Sequence, residues 1–334
     1  MIGGEFPIAV TDILNAGSRR KDEPGVFMYA SGRAAVYQIL KYLKSEKGVC
    51  RILLPDYLCC SVLVPLRALA WEYSFYPIGE DLKLEKEAFR SIYQKGDAVM
   101  VINYFGLQDL TEQIAFIREL YDKAIIIEDD VQAYYEFKKP LGDVDFKFTS
   151  LRKTFAIPDG GLVKTNHHLP EVNTSNTFGQ YKAAAGLLKS MREGIFNDQI
   201  YLEMFEKGED LIDTELECGM SRIAEKLYSL IDEELVKVRR LNNARYLIGE
   251  LEKKGIRPIL PFTEHHVPLF IPIYLENRDE VRRRMFQREV FCPIHWPLEG
   301  MPLKRGEDMA AHELSLIVDQ RYNLQDMNQI VSLV

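Results

Sequence analysis

The segment Ser150-Leu151-Arg152-Lys153 closes the run that starts at Phe146, and Gly160-Gly161 follows it. A lysine just beyond a buried strand can lose hydration, which lowers its pKa and frees its amine to form a Schiff base. An exposed surface lysine is the ordinary alternative. A second candidate is Glu128-Asp129-Asp130, which ends the apolar stretch Ala124 to Ile127 and leads into Val131-Gln132-Ala133. Ligands of α/β sheets bind beyond the carboxyl ends of the strands, so an acid placed there can hold a cationic nitrogen or a metal. Asp130 can equally cap a helix, and no second carboxylate cluster downstream partners these acids around Mg²⁺. The third candidate is Ser31-Gly32-Arg33, where a strand passes into a helix. Free N–H groups and the positive dipole end suit a phosphate there, and Gly32 allows close approach; a helix merely capped by Ser31 uses the same residues.

These residues need a sheet to hold them, and the first half of the chain is written as one. Short apolar runs at Gly25 to Tyr29, Arg51 to Leu54, Tyr73 to Tyr76, Ala98 to Ile102, Ala124 to Glu128, Phe146 to Ser150 and Leu162 to Thr165 predict seven strands. Helical spacing over Ala34 to Leu43 and Ile114 to Tyr121 falls between them. From Phe178 to Glu252 the texture turns to charged and apolar helical stretches without a strand, including Ile223 to Leu251. Beyond it come a strand-like Val267 to Tyr274, a helix from Arg278 to Arg288, an apolar turn at Phe291 to Pro297 and a closing helix after Asn323 with Asp326 in its first turn.

Together the motifs resemble the DegT/DnrJ/EryC1/StrS family. The likeness rests on Ser31-Gly32 before a helix, Asn103-Tyr104-Phe105-Gly106, Glu128-Asp129 with Gln132, and Ser150-x-x-Lys153 with Gly160-Gly161. It continues through Arg240-x-x-Asn243, Val267-Pro268-Leu269, Ile294-His295-Trp296-Pro297 and Asp319-Gln320-Arg321-Tyr322. The resemblance implies fold type I of the pyridoxal-phosphate enzymes: a large three-layer α/β/α domain with a mainly parallel seven-stranded sheet, over 1–235, and a small α+β domain over 236–334. It implies an aminotransferase that moves an amino group from an amino acid such as glutamate to a carbonyl acceptor, in this family chiefly a nucleotide-linked keto sugar.

Carried over, the resemblance makes Lys153 the Schiff-base lysine and Asp129 the partner of the pyridine nitrogen, with Gln132 near the ring. Ser31, Gly32, Arg33 and Ser150 surround the phosphate, and His295 contacts substrate. Arg33, Arg152 and Arg321 are candidates for an anionic acceptor. This chain has Arg33 where a hydroxyl residue is usual, Asp130-Val131 where small residues commonly follow the aspartate, and Asn103 where His is frequent. The ring-stacking position falls on Tyr57 or Cys59. A homodimer with the cofactor cleft at its interface is implied as well. A lyase or desulfurase, and a binding protein that has lost turnover, remain as other readings.

Composition narrows the remaining classes. Forty-two Lys and Arg against fifty Asp and Glu give a net charge of −8 over 334 residues, which weakens any case for nucleic acid as main partner. Five cysteines without paired short spacing suit a reducing cytoplasm, and no apolar run reaches the ~20 residues of a membrane span. No export signal opens the chain, and the basic run Arg282-Arg283-Arg284 suits a solvated helix face. His265-His266 would point to opposite faces of a strand, so no metal is expected there.

Overall fold

The computed structural model describes residues 1–11, 23–191, 198–297 and 303–334. All seven expected strands are present, as β2 (Val26–Tyr29), β3 (Arg51–Pro55), β4 (Glu72–Tyr76), β5 (Ala98–Ile102), β6 (Ile125–Asp129), β7 (Phe146–Ser150) and β8 (Gly161–Thr165). They form one sheet in the order β2-β8-β7-β6-β5-β3-β4. Only β8 runs antiparallel to its neighbours, β2 and β7. Every residue of β5, β7 and β8 is buried, as expected of strands covered on both faces.

The helix Gly32–Lys47 covers the start of the sheet because Ala35, Ile39, Leu40 and Leu43 recur at helical spacing and are all buried. Ser31 Oγ accepts the Ala34 N–H at 3.0 Å to begin it. Gly48 ends it at a φ of 66°, where its N–H returns to the Leu43 carbonyl.

The central stretch is helical, with Phe178–Ser190 packed against Asp198–Ile212. The expected run Ile223 to Leu251 is two helices, Arg222–Leu230 and Glu233–Lys253. Ile231 is extended between them, and the Asp232 carboxylate accepts the Leu235 N–H at 2.9 Å, so the second helix has its own cap.

In the last third, β9 (Phe270–Tyr274) pairs antiparallel with β11 (Glu313–Ile317), a strand the apolar pattern did not reveal. Its Glu313 and Ser315 are buried despite their polarity. A helix Lys304–His312 precedes β11, and the closing helix Leu324–Leu333 begins with a capping box between Asn323 and Asp326. β1 (Ile2–Gly3) lies parallel to β10 (Val290–Phe291), joining the start of the chain to its last third. Among the described residues no helix is long and apolar enough to cross a membrane, and no group of three His, Cys, Asp or Glu side chains is arranged to hold a metal ion.

Candidate active site

A cavity of about 130 Å³ opens at the carboxyl ends of β5, β6 and β7. Ser31, Gly32, Arg33, Asp129, Ser150 and Lys153 all line it, although the chain separates the first and last by more than a hundred residues. Gln132, Arg152, Cys59 and His295 stand on its walls as well.

Local geometry explains why these residues meet. The antiparallel pairing of β7 with β8 sets Ser150 opposite Gly161. A Cβ on Gly161 would lie 2.1 Å from the Ser31 carbonyl oxygen, so only glycine lets the helix start press against β8. Gly160, at a φ of 123°, donates to Ala30 O at 2.6 Å and accepts from Leu151 N at 3.0 Å, tying the turn before Ser31 to the lysine segment. The short helix Leu151–Thr154 then carries Lys153, and Thr154 O is held by Arg240 Nη2 at 3.3 Å and Gln320 Nε2 at 2.8 Å. Arg240 is fully buried and also donates to Pro268 O and Leu269 O, while Asn243 Nδ2 reaches Val318 O, Asp319 O and Tyr322 O. The Arg240-x-x-Asn243 motif therefore fixes the long helix to the back of the lysine segment.

Asp129 ends β6 with its side chain buried, and Oδ1 accepts the Val131 N–H at 2.9 Å. Burial raises its carboxyl to about 7, against the Val131 hydrogen bond that lowers it, with the charge of Glu128 adding to the rise. A cation placed beside it would offset that cost. The Lys153 side chain stands exposed to the cavity rather than buried in its wall. Among the described residues no side chain forms a hydrogen bond or ion pair with it. Gln132 lies along the same wall and uses its Oε1 to accept Phe105 N–H at 2.9 Å.

At the helix start, Ser31 Oγ serves the cap, leaving the Gly32 and Arg33 amides without acceptors inside the helix. Arg33 Nε meets Asp213 Oδ1 at 3.0 Å, and Arg33 Nη1 is buried with no hydrogen-bond partner among the described residues. Arg152 Nη1 meets Glu209 Oε1 at 3.3 Å, and Lys182 pairs with the same oxygen. Burial alone would raise Glu209, but the Arg152 and Lys182 cations bring its carboxyl to about 2. Burial lowers Lys182 to about 8, with Arg152 acting in the same direction and Glu209 opposing both. Glu209 also lines the cavity and carries no signal in the sequence, being one acid among many on an amphipathic helix; Trp296, of the Ile294-His295-Trp296-Pro297 motif, stands there too.

His295 presents a neutral ring, since burial and the Lys153 charge push it down to about 3. Its Nδ1 lies 2.7 Å from Ser315 Oγ, and its backbone N–H donates to Glu313 Oε2 at 2.7 Å. Three other candidates lie away from the cavity. Tyr57 is buried, stacked on Tyr104 at 5.2 Å and tilted against Trp296 at 4.9 Å, which leaves Cys59 on the cavity wall. Asn103 is buried, donates its N–H to Asp129 O at 3.0 Å and faces a different groove. Arg321 is committed to Asp319 at 2.9 and 2.7 Å and to the carbonyls of Gly4 and Glu5.

No family model and no curated protein sequence matches the chain. Solved structures do. Streptococcus pneumoniae Spr1654, in its PMP form, superposes with a TM-score of 0.69 at 12% identity, covering 100% of this chain and 98% of that one. Helicobacter pylori PseC, an aminotransferase of pseudoaminic acid biosynthesis, gives 0.68 at 13% identity, covering 99% and 97%. The sugar aminotransferase CalS13 of Micromonospora echinospora gives 0.67 at 14% identity, covering 100% and 99%. At these identities the likeness carries the fold, and the fold is that of the type I pyridoxal-phosphate transferases.

Proposed function

We propose that the protein is a pyridoxal-phosphate-dependent aminotransferase taking its amino group from an amino acid, glutamate being the first donor to test, and passing it to a nucleotide-linked keto sugar. The observation that carries this reading is the convergence of Lys153, Asp129 and the Ser31–Arg33 helix start on one cavity. The fold shared with Spr1654, whose structures include PLP and PMP forms, and with the sugar aminotransferase CalS13 supports it. We infer in addition that the enzyme works in the cytoplasm as a homodimer, as the family resemblance implies.

The residues fit the cofactor. The partnerless Arg33 Nη1, the free amides of Gly32 and Arg33, and Ser150 would hold its phosphate. A Cβ on Gly32 would come within 3.3 Å of Ser150 Cβ, so glycine keeps that cradle open. Asp129 would face the ring nitrogen, and Cys59 and Gln132 would flank the ring. When bound, the cofactor supplies an electron sink for charge developing at the donor Cα. Asp129 would favour the protonated form of the nitrogen it faces, because it presents a buried carboxylate that forms no ion pair among the described residues. Lys153 Nζ, free of hydrogen bonds in its cavity, serves as the base and acid that moves the proton at the donor Cα. Neutral His295, fixed by Ser315, offers a ring for contact with substrate without adding positive charge beside Lys153.

Incubation with pyridoxal phosphate followed by borohydride should fix the cofactor to the peptide carrying Lys153, and Lys153→Ala should abolish that adduct. Donors and keto sugars tested as separate half-reactions then identify the substrates, and light scattering gives the assembly. An adduct that persists in Lys153→Ala overturns the lysine assignment; glutamate and every other amino donor failing to change the bound cofactor's spectrum overturns transamination.

A further inference from the structure

Alternation along β6 sends Asp129 to the cavity and Glu128 to the other face of the sheet, where Asp130, just past the strand end and still bonded to Phe148 O of β7, joins it. There Glu128 lies in register with Lys147 of β7, and Lys147 Nζ sits 3.3 Å from Glu128 Oε1 and 3.4 Å from Glu136 O. Asp130 is fully buried, its backbone held by Phe148 O and Thr149 Oγ1 at 2.8 Å, and among the described residues no N–H or hydroxyl donor reaches its carboxylate, whose side-chain hydrogen bond is to the Glu128 carboxylate. An ionised carboxylate in that setting is severely penalised, the more so beside a second carboxylate. The back face thus holds two acids and one base in contact.

We propose that this back face is a charge-balanced cluster, with Asp130 carried as the neutral acid and Glu128 neutralised by Lys147, so that the strand end presents one negative charge, on Asp129, to the Lys153 cavity. Glu128 and Lys147 act here as positioning residues, through the field they impose on Asp129. Burial raises both Glu128 and Asp130, consistent with a cluster that cannot carry two charges. The other charged and titratable groups near it are Glu136, whose carboxylate pairs with Lys139, and Asp109, His265 and His266 along the outer groove. On the front, Asp129 shares its cavity with Lys153, Arg33, Arg152, Glu209, His295 and Cys59.

The test reads Asp129 without cofactor. The effect of Asp129→Asn on unfolding stability, followed against pH, gives the Asp129 pKa in each background. In Glu128→Gln, which leaves Lys147 uncompensated one register position away, that pKa should fall by about 1 pH unit. The double variant Glu128→Gln, Lys147→Met removes both charges and should return it to the parent value, and Asp130→Asn should leave it unchanged. A fall in Asp130→Asn, or a double variant still displaced by a full unit, overturns the charge balance even where Glu128→Gln alone fails to fold. A second readout, the affinity for pyridoxal phosphate, rests on the proposed function; it should weaken about tenfold in Glu128→Gln and stay constant in Asp130→Asn. Parent protein that shows the expected Asp129 shifts and binds no pyridoxal phosphate refutes the cofactor reading and leaves the charge balance standing.

Discussion

Asp129→Asn should make the cofactor-free protein more stable, by an amount that grows with pH. Folded Asp129 titrates near 7 against an ordinary 3.8, a rise of about 7 − 3.8 ≈ 3 units. The folded state therefore binds more protons than the unfolded chain between those values, so stability falls as pH rises through the interval and the loss is complete above the folded pKa. At 1.36 kcal/mol per unit the loss is about 4 kcal/mol at pH 8 and about 2 kcal/mol at pH 5. Asparagine keeps the shape and carries no charge, so the variant should gain roughly 2 kcal/mol more over the parent at pH 8 than at pH 5. Denaturant unfolding of both proteins at several pH values, without cofactor, measures the difference directly. A gain that is absent, or equal at pH 5 and pH 8, would refute the placement of Asp129 as a buried carboxylate without a cation. Saturating pyridoxal phosphate should reverse the order, because the parent regains a partner for its charge and the variant does not; amino transfer in the variant should fall by at least about a thousandfold.

Arg33→Ser should weaken pyridoxal phosphate binding at least about tenfold while leaving unfolding stability nearly constant, since its ion pair with half-exposed Asp213 contributes little; titration of cofactor absorbance checks the first and denaturant unfolding the second. Gly161→Ala should cost more than about 3 kcal/mol, or prevent folding, because the added methyl meets the Ser31 carbonyl; thermal melts decide it. Glu209→Gln should destabilise the protein at neutral pH. The Glu209 carboxyl is held near 2 in the fold, below its usual range, so its stabilisation is present above about 4.5 and declines as pH falls towards 2, and the gap from the parent should narrow in denaturation series run from pH 6 down to pH 3.

The strands were legible because sheet residues buried on both faces must be apolar throughout, and Ala98–Ile102 shows that in five letters. The residues that meet at the cavity were legible for a related reason, since Asp129 and Ser150 are polar residues at the very ends of such runs. What escaped had no such contrast. Glu209 sits on a helix where acids at exposed positions are ordinary, and only the packing of that helix over Arg152 turns one of them towards the cavity. β11 escaped because its Glu313 and Ser315 are buried in hydrogen bonds to the His295 segment, so the polar letters that argue against a core strand are satisfied there. Arg321 and Tyr57 show the opposite case, residues of the right type and spacing whose partners, Asp319 for one and Tyr104 with Trp296 for the other, already engage them.

One strand, β6, joins these threads. Its period of two turns Glu128 and Asp129 to opposite faces and Asp130 follows Glu128 just past the strand end, so Glu128-Asp129-Asp130, which in sequence looks like a single acidic cluster suited to a metal, is divided into one carboxylate in front and two behind. A divalent ion needs several oxygens converging from one side, and this division withholds them. A single positive nitrogen needs only one carboxylate, buried and short of a partner. Asp129 is such a group, and the register that pairs Glu128 with Lys147 keeps the charge behind it from competing for the same cation. The local alternation of the backbone thus selects the chemistry of the ligand before any side chain in the cavity touches it.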